Sequence, residues 1–525
     1  MGLQRHGLSR IQDLILVTGL LALSQPAWAL PPRQIPQPGF EPYRVELPKT
    51  GALVPAPPDL YFLPRSEAEV VTADDVRRAV IPRRLSLDVA ERFLLEHNTA
   101  ILNARHQVAA ALQGRVVASK RPNPQLTVGA EGLNAGTFTS PPATQTFTVR
   151  YDQLYERGGQ RRHRTWQAAA NAYSAEAALS DTIRTQLLAL RTAFTAGVLA
   201  RENLRLAVEV LEQYLKTESL TSIKVEAGEL AGLDLYRVRS GRLQFQQAIL
   251  QAETQYANAT RDVLNALGKT ADDVEPSTVP ETQLPATAFS EPAAMLTSAP
   301  VTAFAAKVGG APLELNGAFD TRTVETPLAE LRRVAIATRP DVIAARYAVE
   351  AARHAYLGFR TQRTNDINVG TEFQRLINFT DTGAPPTLRI ADNVVGVIFS
   401  TSIFTNNDHK AEIKQGESLL RAAVAQLRTA ELTAVRDVES AYQSYKLARR
   451  IFDLYNKENL AQLQKMQQIA SFSYKNGAAT LFELLDAQRT YRQALAAYNQ
   501  SRSDYQTSLF QLEAAIGRPI FPAGH

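Results

Sequence analysis

The sequence predicts an α+β membrane protein built from two tandem copies of one unit: helix, β-hairpin, long helical hairpin. Three observations carry this. LNARHQVAAA at 102–111 aligns with IAARYAVEAA at 343–352 at an offset of 241, and Gly228, Tyr256 and Gly268 align with Gly477, Tyr505 and Gly517 at 249. Each copy holds two segments that alternate with period two, at the ~9–11 residues a membrane strand needs. Each also holds long Ala-, Leu- and Gln-rich stretches free of proline, which read as helices.

The N-terminus opens with Arg5 and Arg10, followed by the uncharged run LILVTGLLAL at 14–23 and PAWA at 26–29. This is the pattern of a secretory signal peptide, residues 1–29, cleaved after Ala29. The apolar run is half of the ~20 residues a spanning helix requires. Residues 30–84 are proline-rich and read as an extended segment. The chain has no cysteine, which excludes disulfides, thiolate zinc sites, thiol nucleophiles and a lipidated Cys. A formal charge of +5 over 525 residues is too dilute for a nucleic-acid stripe.

The first copy spans 85–268. Apolar spacing from Val89 to Leu112 predicts a helix over 87–120, opened by Ser86 and Asp88 and ended by Arg121-Pro122-Asn123-Pro124. Strands follow at 125–132 and 144–151, separated by turn residues. From 160 to 267 there is no proline, and glycines cluster between Gly228 and Gly241. Two helices meeting near residue 228 explain this, the first about 60 residues and ~90 Å long. The second copy spans 327–517: a helix over 327–360, strands over 367–376 and 393–401, then helices over about 407–474 and 480–516. The offset changes by eight between Glu372 and Phe404, so the loop around Thr380 to Pro386 is longer in this copy. The Pro-, Ala- and Thr-rich stretch 269–326 reads as a connector and 518–525 as a short tail.

Four antiparallel strands cannot close a barrel, and lipid tolerates no open edges. Three chains would supply twelve. Long helices polar on one face and Ala/Leu-lined on the other suit the wall of a hollow cylinder.

The motifs at this point resemble the TolC-like outer-membrane efflux proteins over about 85–520. The resemblance rests on LSLDVA at 85–90 with Asn98, on Tyr155 and Phe404 at the strand-to-helix return, and above all on YKNGAATLFELLDAQ at 474–488. It implies a homotrimer with a twelve-stranded β-barrel in the outer membrane, continuous with a twelve-helix tunnel through the periplasm. The implied partners are a periplasmic adaptor and an inner-membrane pump, in a tripartite efflux or type I secretion system. Glu483 and Asp486, three apart on one helix face, would place six carboxylates around the entrance of a trimer. By position in the family, Asp234, Arg237 and Tyr474 are the gate-latch candidates, with Asp234 accepting from the Tyr474 hydroxyl. Arg237, the repeat mate of Asp486, breaks the symmetry of an acidic ring. Gly228 and Gly477 fall at the tip turns where the family docks its adaptor, although each would also serve as an ordinary helix C-cap.

No catalytic chemistry or cofactor is expected. Gly268-Lys269-Thr270 ends like a phosphate loop but follows a helix. The seven histidines form no H-x-x-x-H pair, which points to surface or wall positions rather than metal ligands. Glu131 and Glu372 share a repeat position that faces either a lumen or a loop rim. A periplasmic coiled-coil adaptor is the competing reading; a secreted hydrolase lacks its residues.

Overall fold

The computed structural model describes residues 79–132, 144–276, 311–319, 322–380, 388–403, 407–455 and 457–520, all within the second of two compact units, Ala56–His525. The expected signal peptide at 1–29, most of 30–84, the loop around residues 380–386 beyond Thr380, connector residues 277–310 and Phe404 lie outside the described residues.

In the first copy, β1 (Arg84–Ser86) leads into α1 (Leu87–His97) and α2 (Thr99–Ser119). Strands β2 (Gln125–Glu131) and β3 (Thr144–Tyr155) follow, then α3 (Gln160–Glu226) and α4 (Gly232–Leu267). In the connector, β4 (Glu314–Asn316) pairs in parallel with β1. The second copy contains α5 (Leu328–Thr338), α6 (Pro340–Thr361), β5 (Ile367–Thr380) and β6 (Leu388–Thr401). It ends with α7 (Lys410–Leu454), α8 (Lys457–Lys475) and α9 (Leu481–Ile516). At 67 residues, α3 runs to about 100 Å.

Three helices expected to be continuous are divided. The 87–120 helix breaks at Asn98, whose Oδ1 accepts from Ala100 N at 2.9 Å and Ile101 N at 3.2 Å and so caps α2. Its mate breaks at Arg339, one residue before Pro340, whose ring pre-sets the first turn of α6. The 407–474 helix breaks at Tyr455; the freed Leu454 carbonyl accepts from Asn459 Nδ2 at 2.7 Å.

The strands form one antiparallel sheet in the order β2-β3-β5-β6, so the two hairpins join through β3 and β5 and the sheet ends in two edges. Below it, each copy has its own apolar cluster. Leu85, Leu94, Ile183, Leu190, Leu264 and Leu315 anchor the first; Leu331, Val438, Tyr505, Leu509 and Leu512 anchor the second. The repeat mates Tyr256 and Tyr505 play the same part, each hydroxyl donating to a connector carbonyl, Leu313 at 3.2 Å and Arg322 at 2.7 Å. The described parts of the connector are thereby tied to both helical walls, and the Tyr256 hydroxyl also accepts from Leu315 N at 3.2 Å.

Candidate functional site

Two regions combine unusual surface with precise positioning: the two faces of the sheet, and the paired turns where α3 meets α4 and α8 meets α9.

Residues opposite each other in an antiparallel sheet point to the same side. Register therefore assigns faces. One row joins Leu126 to Tyr151 to Thr371 to Val397; another joins Val128 to Val149 to Phe373 to Val395. This face is apolar and exposed, with Val128 at 71%, Val395 at 76% and Phe399 at 71%. The opposite face carries Thr127, Gly129, Thr148, Arg150, Asp152, Gly370, Glu372, Gln374 and Gly396. On it Arg150 Nε pairs with Asp152 at 2.8 Å and its Nη1 lies 4.0 Å from Glu372, while Gln374 donates to Glu372. Glu131, opposite Thr146, belongs to this polar face as well. A monomer in water has no reason to expose the first face, which is the composition of a lipid-facing strand surface.

The two helical turns are built alike. Gly228 N donates to Val225 O at 3.0 Å and Glu229 N to Lys224 O at 2.8 Å; Gly477 N donates to Tyr474 O at 3.2 Å and Ala478 N to Ser473 O at 2.8 Å. Both glycines are left-handed, at φ 77° and 76°, with open space where a side chain would sit. Backbone conformation therefore favours glycine here, by the double-bond pattern that ends many helices. The return helices start differently. Thr480 caps α9 and Glu483 answers it, Thr480 N donating to Glu483 Oε2 at 2.7 Å. The equivalent cap of α4 is Ala231, which has no side-chain oxygen to offer.

Glu483 is thus held at a helix N-terminus, and Asp486 is exposed one turn further on. Tyr474 is buried, and within the chain its hydroxyl meets Thr221 Oγ1 at 2.9 Å, not Asp234. Thr221 spends its only side-chain proton on Thr217 O at 2.8 Å, so Tyr474 is the donor. Lys224 Nζ donates to the Tyr474 carbonyl at 2.9 Å and stands 5.1 Å above its ring. Asp234 instead pairs with Arg237 at 3.3 Å on the surface of α4. The expected Asp234–Tyr474 bond is replaced because α8 packs its Tyr474 against α3, which presents Thr221 and Lys224 from the last two turns.

Sequence reasoning missed Thr221, Lys224 and four apolar residues at the turns. Ile223 and its mate Phe472 are 59% and 70% exposed; Leu233 and its mate Phe482 are 59% and 78% exposed. Their signal is the offset of 249 combined with apolar character at both members of each pair.

The sequence matches the profile of the outer membrane efflux protein family over residues 92–269 and 331–518. The chain belongs to this family. No curated relative matches the sequence itself. Among solved structures, this efflux protein resembles CusC at 16% identity and a TM-score of 0.61, over 84% of this chain and 94% of that one. It resembles the CmeC outer membrane channel of Campylobacter jejuni at 14% identity and 0.59, covering 82% and 85%. It also resembles the open state of the MtrE outer membrane channel of Neisseria gonorrhoeae at 18% identity and 0.57, covering 83% and 89%. The fold is the TolC-like tandem repeat, and the protein is an outer-membrane exit duct extending into the periplasm. The family is one of ducts rather than enzymes.

Proposed function

We propose that three copies of this efflux protein close a twelve-stranded barrel and work as the passive outer-membrane stage of a tripartite efflux or type I secretion system. The observation that carries this is the four-stranded sheet with one apolar exposed face, one polar face and two unpaired edges, standing on helices up to 67 residues long. In lipid the edges need partners, and in a ring of copies the β2 edge of one chain and the β6 edge of the next supply them to each other. The polar face with Arg150, Asp152 and Glu372 then lines the lumen.

At the other end, Glu483 and Asp486 border the periplasmic entrance, with Glu483 doubling as helix cap. Tyr474 is the latch residue, held by Thr221 and Lys224 within its own protomer; Asp234 and Arg237 face the neighbouring copy. The turns at Gly228 and Gly477, with Ile223, Leu233, Phe472 and Phe482 beside them, are the docking surface for a periplasmic adaptor that joins the duct to an inner-membrane pump. Exposed apolar side chains on rigid helix ends suit an apolar helical partner.

Membrane fractionation and planar-bilayer recording test the proposal. Heat-resistant trimers in the outer-membrane fraction and discrete single-channel currents are expected. Recovery as a soluble periplasmic monomer without channel activity would overturn it.

A further inference from the structure

A cavity among the described residues belongs neither to the sheet nor to the tip turns. It opens between α3, α4 and α9, has a volume of about 250 Å³ and begins roughly 20 Å along the helices from the turns. Its aromatic wall depends on a glycine inside a helix. A Cβ at Gly241 of α4 would run into the Tyr214 hydroxyl, so glycine is required for that ring to lie against α4 and donate to Val238 O at 2.9 Å. Phe245, one turn along α4, then packs on Tyr214 with ring centroids 4.4 Å apart. Gln488 of α9, also on the wall, donates to Thr217 Oγ1 at 3.2 Å and ties the third helix to α3.

The charges around this volume do not balance. Arg489 and Arg492, three apart on α9, both line it. Among the described residues neither guanidinium has an ion-pair partner; Arg492 lies over the Phe245 ring at 5.1 Å instead. Burial and the Arg489 charge lower the Arg492 pKa from the usual arginine value. Glu209, the acid on the same wall, stands 3.7 Å from Arg205 and is already engaged. A half-buried cation without a counter-charge is costly, and an anion in the cavity removes that cost.

We infer that the cavity binds a small organic anion, an aromatic monocarboxylate, with its carboxylate held by Arg489 and Arg492 and its ring against Phe245 and Tyr214. Guanidinium forks match the paired oxygens of a carboxylate, and aromatic side chains favour a flat ring. Leu206, Leu485 and Leu495 complete an apolar surround. A second carboxylate would meet Glu209, which selects a monoacid. The volume excludes a partner helix, since a helix about 10 Å across needs more than that for a single turn. Bound there, the ligand bridges the α3–α4 hairpin of the first copy to α9 of the second.

The test is isothermal titration of the full chain, purified in detergent, with 2-naphthoate as the probe. One equivalent per protomer is expected, and 2-naphthamide, which keeps the ring and lacks the charge, should bind at least about tenfold more weakly. Arg492→Gln removes one guanidinium and Leu206→Trp fills the cavity; each should weaken naphthoate at least about tenfold while keeping the helical circular dichroism of the parent. No saturable binding by the parent, equal binding of acid and amide, or unchanged affinity in either variant would overturn the site. Acetate binding as tightly as naphthoate would overturn the aromatic assignment, since the cavity would then take any carboxylate, including an acidic side chain of a partner. The readout is independent of conductance, so its failure is distinct from failure of the channel itself.

Discussion

Replacing Lys224 by methionine should loosen the helical tip more than any single change at Asp234. The Lys224 side chain is only 10% exposed, and its ammonium donates at 2.9 Å to the Tyr474 carbonyl and covers the Tyr474 ring. A buried hydrogen bond from a charged group contributes about 1.5–3 kcal/mol. Methionine keeps the stem packed against the ring, and the Tyr474 carbonyl retains its bond from Gly477 N at 3.2 Å, so no orphaned acceptor adds to the loss. If the contact between α3 and the end of α8 holds the tip closed, losing it moves the closed-to-open ratio by about 10- to 150-fold, at 1.4 kcal/mol per tenfold. The Asp234–Arg237 pair is different: Arg237 is 67% exposed, and surface ion pairs contribute ~0–1 kcal/mol. Single-channel recording separates the two. Lys224→Met should raise the frequency of open events by an order of magnitude or more, and Asp234→Asn should change it by less than about fivefold. Unchanged gating in Lys224→Met with wide opening in Asp234→Asn would refute the assignment of the latch to the α3–α8 contact.

Three further outcomes follow from other parts of the molecule. Ala231→Thr should supply the cap that α4 lacks and that Thr480 gives α9, stabilising the protein by about 0.5–2 kcal/mol, read as a higher thermal midpoint. Val149→Arg places a charge on the apolar face of β3 and should cost about 2–4 kcal/mol near the bilayer centre; Thr148→Arg, on the other face, should cost almost nothing. The yield of heat-modifiable trimer after refolding into vesicles measures the contrast. Burial raises Asp341, but its bond to Arg339 at 2.7 Å and that charge outweigh it, so its folded pKa lies below the usual carboxylate range. Its contribution is therefore present above about pH 4 and is lost as pH falls through the folded value. Acid melts should show that loss in the parent and a flatter profile in Asp341→Asn.

Legibility in the sequence follows the range of the interaction. Period-two alternation locates the four strands of the antiparallel sheet but not the short parallel pair β1 and β4, and β3 runs to Tyr155 and β5 to Thr380, beyond the expected ends, because pairing with a neighbour extends a strand past its own pattern. The breaks at Asn98 and Arg339 leave no mark on the apolar pattern, since helical spacing continues across them. What divides the helices is a side-chain cap in one copy. In the other, Pro340 keeps the preceding Arg339 out of helical backbone, and Arg339 is buried, binding Asp341 at 2.7 Å and Asp437 at 2.8 Å. Glu483 reads from its motif as an entrance carboxylate; its bond to Thr480 is equally visible as T-x-x-E, a spacing that sequence alone supports.

The tandem repeat, the element order, the glycine turns and the membrane character of the strands all follow from the order of residues. Each depends on spacing within a few residues or on likeness between two stretches of the same chain. Helix packing, by contrast, settles that Tyr474 bonds to Thr221 and not Asp234, that Ile223 and Phe472 stay exposed, and that His163 meets His354. Those outcomes depend on which helix lies beside which, and the bonded partners stand about 190 to 250 residues apart, where no local rule of spacing reaches.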